Sequence, residues 1–226
     1  MKEQTNSYKQ FKSKQRVSDH GEVFTHEREV NAMLDLVKHE TERIDSRFLE
    51  PACGEGIFLA EVLRRKLNVV ESRYKNSQIE FERNAFLAFS SLYGIDILQD
   101  NVELCRDNLY TIFVTQYKNL FKNKINKEFL ESIRFVLYQN IIHGDALTYQ
   151  TCGLVEKPIT FSEWTLVFNN KVQRRDYQYK HLLETQAYDG PNLFSDLGED
   201  VFIPTPVKVY PLKTIYNLAE NVQPEL

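Results

Sequence analysis

The chain has 226 residues, 42% of them hydrophobic and 27% charged, which is enough apolar material for one buried core. A second full domain for reading a large substrate would leave little room for the first. The formal charge of −4 excludes a whole-protein field that draws in nucleic acid, although it leaves room for a local basic patch.

Three cysteines, Cys53, Cys105 and Cys152, are odd in number and have no C-x-x-C spacing, so neither a disulfide framework nor a zinc site is expected. No stretch approaches the ~18 consecutive apolar residues of a membrane span, and the start of the chain lacks an apolar core segment. These features predict a cytoplasmic protein with no membrane partner.

Residues 1–20 carry Lys2, Lys9, Lys12, Lys14 and Arg16 among polar residues and read as a flexible N-terminal arm. Val30, Met33, Leu34 and Val37 then recur at helical spacing, predicting a helix over 26–39 with Thr25 as its cap and Glu27 and Glu29 at the positive end of its dipole. The segment RFLEPACGEGIFLAEVLRRKL reads as strand, glycine turn and helix. Gly54 and Gly56 would let the backbone approach a ligand closely, and Glu50 would face the same crevice from the strand end. Leu59 stands where a dinucleotide fingerprint needs its third glycine, and the acidic Glu50 ends the strand, which together favour a nucleoside bearing a charged amine over a pyrophosphate.

Phe81, Ala85 and Phe89 mark the next helix, LYGIDI a strand, and Val102, Cys105 and Leu109 a further helix. Asp96 thereby falls at a strand's carboxyl end, where a carboxylate can accept hydrogen bonds from both ribose hydroxyls. Glu71, after the apolar LNVV, competes for that role. Phe129, Leu130, Ile133, Val136 and Leu137 outline one more helix, and NIIHGDAL reads as a short strand with a turn at Gly144-Asp145.

The carboxyl half changes character. PITFSEW reads as an apolar strand, TLVF and KVQR as a hairpin about Asn169-Asn170, and Tyr179 to Glu184 as a helix. Lys171, Arg174 and Arg175, interleaved with Tyr177 and Tyr179, suit either contacts to phosphates and bases or a solvated hairpin. Prolines at 191, 204, 206, 211 and 224 punctuate the tail, and Val201, Phe202, Ile203, Val207 and Val209 are expected to cover a sheet edge or a partner. The chain thus divides into an arm over 1–20, an α/β unit over 21–164, and a hairpin, helix and extended tail over 165–226.

In order along the chain, GEVFTHEREVNAML, FLEPACGEGIFLAEVL, LYGIDILQDNVELCRDNL and IIHGDAL resemble the S-adenosylmethionine-dependent DNA adenine methyltransferases, specifically modification subunits of restriction systems. The resemblance covers roughly residues 20 to 147. It implies a Rossmann-like class I methyltransferase sheet with flanking helices, which needs more strands than the hairpin, helix and proline-broken tail over 165–226 supply, so a shortened or rearranged C-terminal half is expected. By position it implies Phe24 and Thr25 near the methionine moiety, with His26 where the family usually has proline. Glu50, Pro51, Ala52, Cys53, Gly54 and Gly56 would form the methionine-side loop, Asp96 would bind the ribose, and Ile97 would pack on adenine. Asp145 would meet the adenine amino group, with Ala146 beside it.

The family's catalytic tetrapeptide, an Asp, Asn or Ser followed by Pro-Pro and an aromatic residue, is absent from these 226 residues. In that family its first side chain and a carbonyl accept hydrogen bonds from the target amino group while the ring stacks on the flipped base. Here the strand in the expected register ends as FSEW, which makes Ser162 and Trp164 the candidate acceptor and stacking face, or else a strand-end residue and a core residue. The resemblance implies DNA adenine methylation with DNA read through a separate specificity subunit, in a homo-oligomer or protein complex, and without a metal. Two alternatives stay open: a catalytically silent cofactor-binding or structural subunit of a DNA-modification complex, and a methyltransferase acting on RNA, protein or a small molecule.

Overall fold

The computed structural model describes residues 25–183 and 204–220. The expected N-terminal arm, Phe24, Glu184, Pro191, Pro224, and Val201, Phe202 and Ile203 lie outside the described residues.

The first helix, α1 (Glu27–Asp35), is capped by His26, not Thr25. The His26 Nδ1 accepts from the Arg28 amide at 3.1 Å, and the Glu29 carboxylate accepts from the His26 amide at 3.4 Å. The single helix expected over 26–39 breaks after Asp35, and a short α2 (Lys38–Thr41) follows a non-helical Val37. Only Val30 and Leu34 of the apolar stripe are buried, whereas Met33, Leu36 and Val37 are exposed, so the stripe that would carry the helix onward has nothing to pack on.

Three short strands come next, each separated from the following one by two helices. β1 (Phe48–Glu50) leads through α3 (Ile57–Tyr74) and α4 (Gln78–Ser90) to β2 (Leu92–Asp96). From there α5 (Gln99–Phe121) and α6 (Lys127–Asn140) lead to β3 (Ile141–Asp145). β1, β2 and β3 pair in parallel with β2 in the middle, and a short β4 (Gln150–Thr151) runs antiparallel beside β3. The result is an α/β fold with a mixed sheet and flanking helices. Glu71, the competitor of Asp96, lies inside α3, where its carboxylate accepts from Gln116 Nε2.

The helices form where apolar residues recur three or four apart. Phe81, Ala85, Phe86 and Phe89 of α4, Val102, Cys105, Leu109 and Phe113 of α5, and Phe129, Ile133 and Val136 of α6 are all fully buried or nearly so in one cluster. Each large side chain among them contributes about 1.5–3 kcal/mol of transfer free energy before chain entropy is counted. Phe113 and Phe129 meet edge to face at 5.8 Å across α5 and α6, so the layer is held by specific ring packing as well as by burial.

The carboxyl half builds a second sheet. β5 (Thr160–Leu166) and β6 (Lys171–Gln178) form an antiparallel hairpin, followed by α7 (Tyr179–Leu183), and β7 (Lys208–Val209) and β8 (Lys213–Thr214) both pair with β6. The expectation that a strand ends at FSEW is therefore corrected. Phe161 to Trp164 lie in the middle of β5, which continues to Leu166, pairs with β6, and takes no place in the parallel sheet; the division expected at 164/165 falls inside this strand. Pairing with the adjacent β6 closes only a short loop, whereas insertion beside a parallel strand requires a long crossover. Ile159 and Phe161 pack on Tyr93 and Ile95 of β2, while Trp164 meets Phe86 and Phe135.

Residues 213–218 strap this sheet to the helices. Ile215 is buried, the Tyr216 hydroxyl donates to Glu82 Oε2 at 2.9 Å, and the Leu218 amide donates to Ser132 Oγ at 3.2 Å. Val207 and Val209, expected to cover an edge, are exposed, although Val209 lies in the strand that pairs with β6. Among the described residues no helix is long and apolar enough to cross a membrane.

Candidate functional site

Each of the three parallel strands ends in a carboxylate: Glu50 closes β1, Asp96 closes β2 and Asp145 closes β3. Parallel pairing puts their carboxyl ends at one end of the sheet, with Glu50 in register with Gly94 and Asp96 with His143. In open α/β sheets ligands bind outside this end where the strand order reverses, and among the described residues the order β1-β2-β3-β4 holds no reversal.

The turn from Pro51 to Gly56 is built onto that end. The Cys53 amide donates to the Ile95 carbonyl at 2.9 Å, and the Gly54 amide to Asp96 Oδ2 at 2.8 Å. Gly54 and Gly56 adopt positive φ, +52° and +82°, which a residue with a Cβ adopts only under strain. They differ in their surroundings. A Cβ on Gly54 would meet open space, whereas one on Gly56 would lie 2.5 Å from Cys105 Sγ, so Gly56 is also required by the packing of α3 on α5.

Asp96 is buried and its carboxylate is already engaged. Oδ1 accepts from the Leu98 amide at 2.9 Å and from Asn101 Nδ2 at 3.2 Å, while Oδ2 accepts from Gly54. A carboxylate offers about four acceptor positions, so Oδ2 retains one. Glu50 is partly buried, and this burial holds its carboxyl above the usual carboxylate range, an effect that the hydrogen bond with the Ala52 backbone opposes. Asp145 Oδ1 accepts from the Leu147 amide at 2.8 Å. The neighbouring Cys105 thiol and then burial push the Cys53 thiol up, which makes it an inert packing group instead of a nucleophile.

The structure therefore brings Glu50, Cys53, Gly54, Gly56, Asp96, Ile97, Asp145 and Ala146 to one end of the sheet, with Pro51 and Ala52 in the connecting turn. Gly144 is part of β3, so the turn expected at Gly144-Asp145 begins only after Asp145. Thr25 is exposed just ahead of α1. Three residues of this region carry no clear signal in the sequence: Asn101, His143 and Leu147. The role of Asn101 depends on α5 turning its side chain back onto Asp96, and His143, a lone histidine without metal-ligand spacing, carries no assignment until its neighbours are known.

Ser162 and Trp164 are placed elsewhere. Ser162 is 1% exposed and donates to Asp176 Oδ1 at 2.8 Å, and Trp164 is 6% exposed between Phe86 and Phe135. Both belong to a polar and aromatic core in which the Arg174 guanidinium pairs with both Asp176 oxygens and lies over the rings of Trp164 and Tyr210. The Tyr210 hydroxyl completes the set by donating to Asp176 Oδ2.

The basic hairpin is likewise self-satisfied. Arg174 is held by Asp176, Arg175 faces Glu163 at 3.7 Å, Tyr177 donates to Glu163, and Tyr179 is buried against Tyr149 and Phe161. Of Lys171, Arg174, Arg175, Tyr177 and Tyr179, Lys171 is the exposed one. Among the described residues no three His, Cys, Asp or Glu side chains gather as a metal site would require. Comparison of the chain with protein-family models, with curated proteins and with solved structures finds no match.

Proposed function

We propose that this chain binds S-adenosylmethionine at the carboxyl end of its parallel sheet and serves in DNA adenine methylation within a restriction-modification-like system. The observation that carries the proposal is the run of three consecutive parallel strands, each ending in a carboxylate, with a two-glycine turn after the first. The residues present fit such a ligand. Asp96 Oδ2 has an acceptor position for a ribose hydroxyl, the space beside Gly54 is open, and Ile97 presents an exposed apolar side chain just beyond Asp96.

In this proposal Glu50 meets the cofactor's ammonium, Asp96 its ribose, Ile97 and Ala146 its adenine ring, and Asp145 the adenine amino group. When bound, the cofactor supplies a methyl group on a sulfonium, and the chain's own residues orient it. Calorimetric titration with S-adenosylmethionine and S-adenosylhomocysteine tests this. Binding of either that is lost in Asp96→Ala is the expected result, and no heat with either ligand overturns it.

A second reading, a subunit that holds the cofactor but carries no acceptor chemistry of its own, is favoured by one observation. Ser162 and Trp164, the two residues that would accept and stack on a flipped base, are sequestered in the core. Under that reading a partner chain supplies both the tetrapeptide and the sequence readout. Tritiated methyl transfer to unmethylated DNA separates the two: turnover by the isolated chain supports the first, and cofactor binding without turnover supports the second.

A further inference from the structure

We infer that His143 is a positioning residue for the nucleoside, acting through the peptide unit between Ile97 and Leu98; the inference rests on the proposed cofactor binding. His143 is the register partner of Asp96 on the neighbouring strand and stands two residues before Asp145. It therefore lies between the two strand ends assigned to the ribose and the adenine. Its ring Nε2 is 3.1 Å from the Ile97 carbonyl oxygen. A carbonyl only accepts, so the proton of this bond is on Nε2.

The other end of the same peptide unit is also held. The Leu98 N–H donates to Asp96 Oδ1 at 2.9 Å, and that oxygen is itself steadied by Asn101 Nδ2. Both hydrogen-bonding groups of one peptide plane are thus tied to side chains, the carbonyl to β3 and the amide to β2. Fixing the plane restricts ψ of Ile97 and with it the direction of the Ile97 side chain, which is 48% exposed. Half of this apolar side chain is left in water on a backbone clamped at both ends, so that part gains no packing in the free chain. It is set in advance for a flat apolar ligand, and this lowers the ordering entropy lost on binding.

Arg106 from α5 holds the same strand independently, donating to the Ile141 carbonyl two residues before His143. Substituting His143 therefore leaves β3 anchored to α5 and removes chiefly the hold on Ile97.

The test compares His143→Ala and His143→Gln with the unmodified chain by calorimetric titration of S-adenosylhomocysteine and of adenosine, with a thermal melt of each ligand-free protein. His143→Ala is expected to weaken both ligands by the same factor, about three- to tenfold, the worth of one neutral hydrogen bond. His143→Gln, whose amide can donate to the same carbonyl, is expected to recover most of that loss. Glu50→Gln serves as the contrast, weakening S-adenosylhomocysteine and sparing adenosine. Unchanged affinity in a folded His143→Ala, or a loss that His143→Gln fails to restore while its melt matches the unmodified chain, overturns the inference. Absence of any binding by the unmodified chain instead overturns the cofactor reading on which it rests.

Discussion

The backbone amide of Gly54 donates to Oδ2 of Asp96 across 2.8 Å, tying the turn after β1 to the end of β2. Asp96 is consequently a structural knot as well as a candidate ligand group, because two backbone amides and one buried side-chain amide depend on it.

Asp96→Ala is therefore expected to destabilise the chain by about 3 kcal/mol, since hydrogen bonds to a charged acceptor are the strong ones and their donors would be left without partners. Asp96→Asn, which keeps an acceptor oxygen, is expected to lose roughly half as much. Urea titration checks both, and an Asp96→Ala chain as stable as the unmodified one would show that these bonds contribute nothing net.

The two glycines of the turn are expected to respond differently. Gly54→Ala costs about 1 kcal/mol for a left-handed backbone alone, whereas Gly56→Ala adds an overlap with Cys105 Sγ and should exceed about 3 kcal/mol. Adding Cys105→Ala to Gly56→Ala removes the colliding sulfur and should restore part of the loss. Equal destabilisation at the two positions would contradict the packing argument.

Lys66 predicts a pH dependence. It is fully buried in α3, its ammonium nitrogen donates to the Ser46 carbonyl and Ser91 Oγ, and burial pulls its pKa from 10.5 to about 7. Between about pH 7 and 10.5 the unfolded chain holds a proton that the folded chain does not. The contribution of Lys66 to stability thus falls as pH drops through that window, by at most about 1.4 kcal/mol per pH unit, and levels off below it. Denaturant midpoints measured across the window should slope less in Lys66→Met, and an identical slope would show that Lys66 does not titrate there.

Substitutions at the FSEW segment should act on folding. Trp164→Ala is expected to cost about 3–5 kcal/mol. Trp164→Phe should cost about 1 kcal/mol, because the indole Nε1 has no hydrogen-bond partner among the described residues. Asp176→Ala strands the Arg174 guanidinium and should cost about 3–5 kcal/mol. Thermal melts rank these, and a Ser162→Ala, Trp164→Ala chain of full stability that had lost methyl transfer would return both residues to a catalytic role.

The strand-end acids and the glycine turn were legible in the residues because every signal for them is local. A three-residue strand bounded by Pro51, a glycine turn without side chains, and an apolar helical repeat place Glu50 without reference to the rest of the chain. The same holds for Asp96 and Asp145, each between a short apolar run and a helix or turn. Local patterning alone thus sets the alternation of strand and helix and the acids at its joints.

Tertiary structure decided the rest. FSEW reads equally well as the end of a parallel strand or the middle of an antiparallel one, and only pairing with Lys171–Gln178 sets which side chains face the core. Ser162 looks available until Asp176, fourteen positions away, accepts its hydrogen bond. His143 becomes meaningful only once β3 lies beside β2 and brings its ring to the Ile97 carbonyl. Strand partners and the closure of polar networks depend on contacts between distant segments, and their energies are realised only when the whole core assembles.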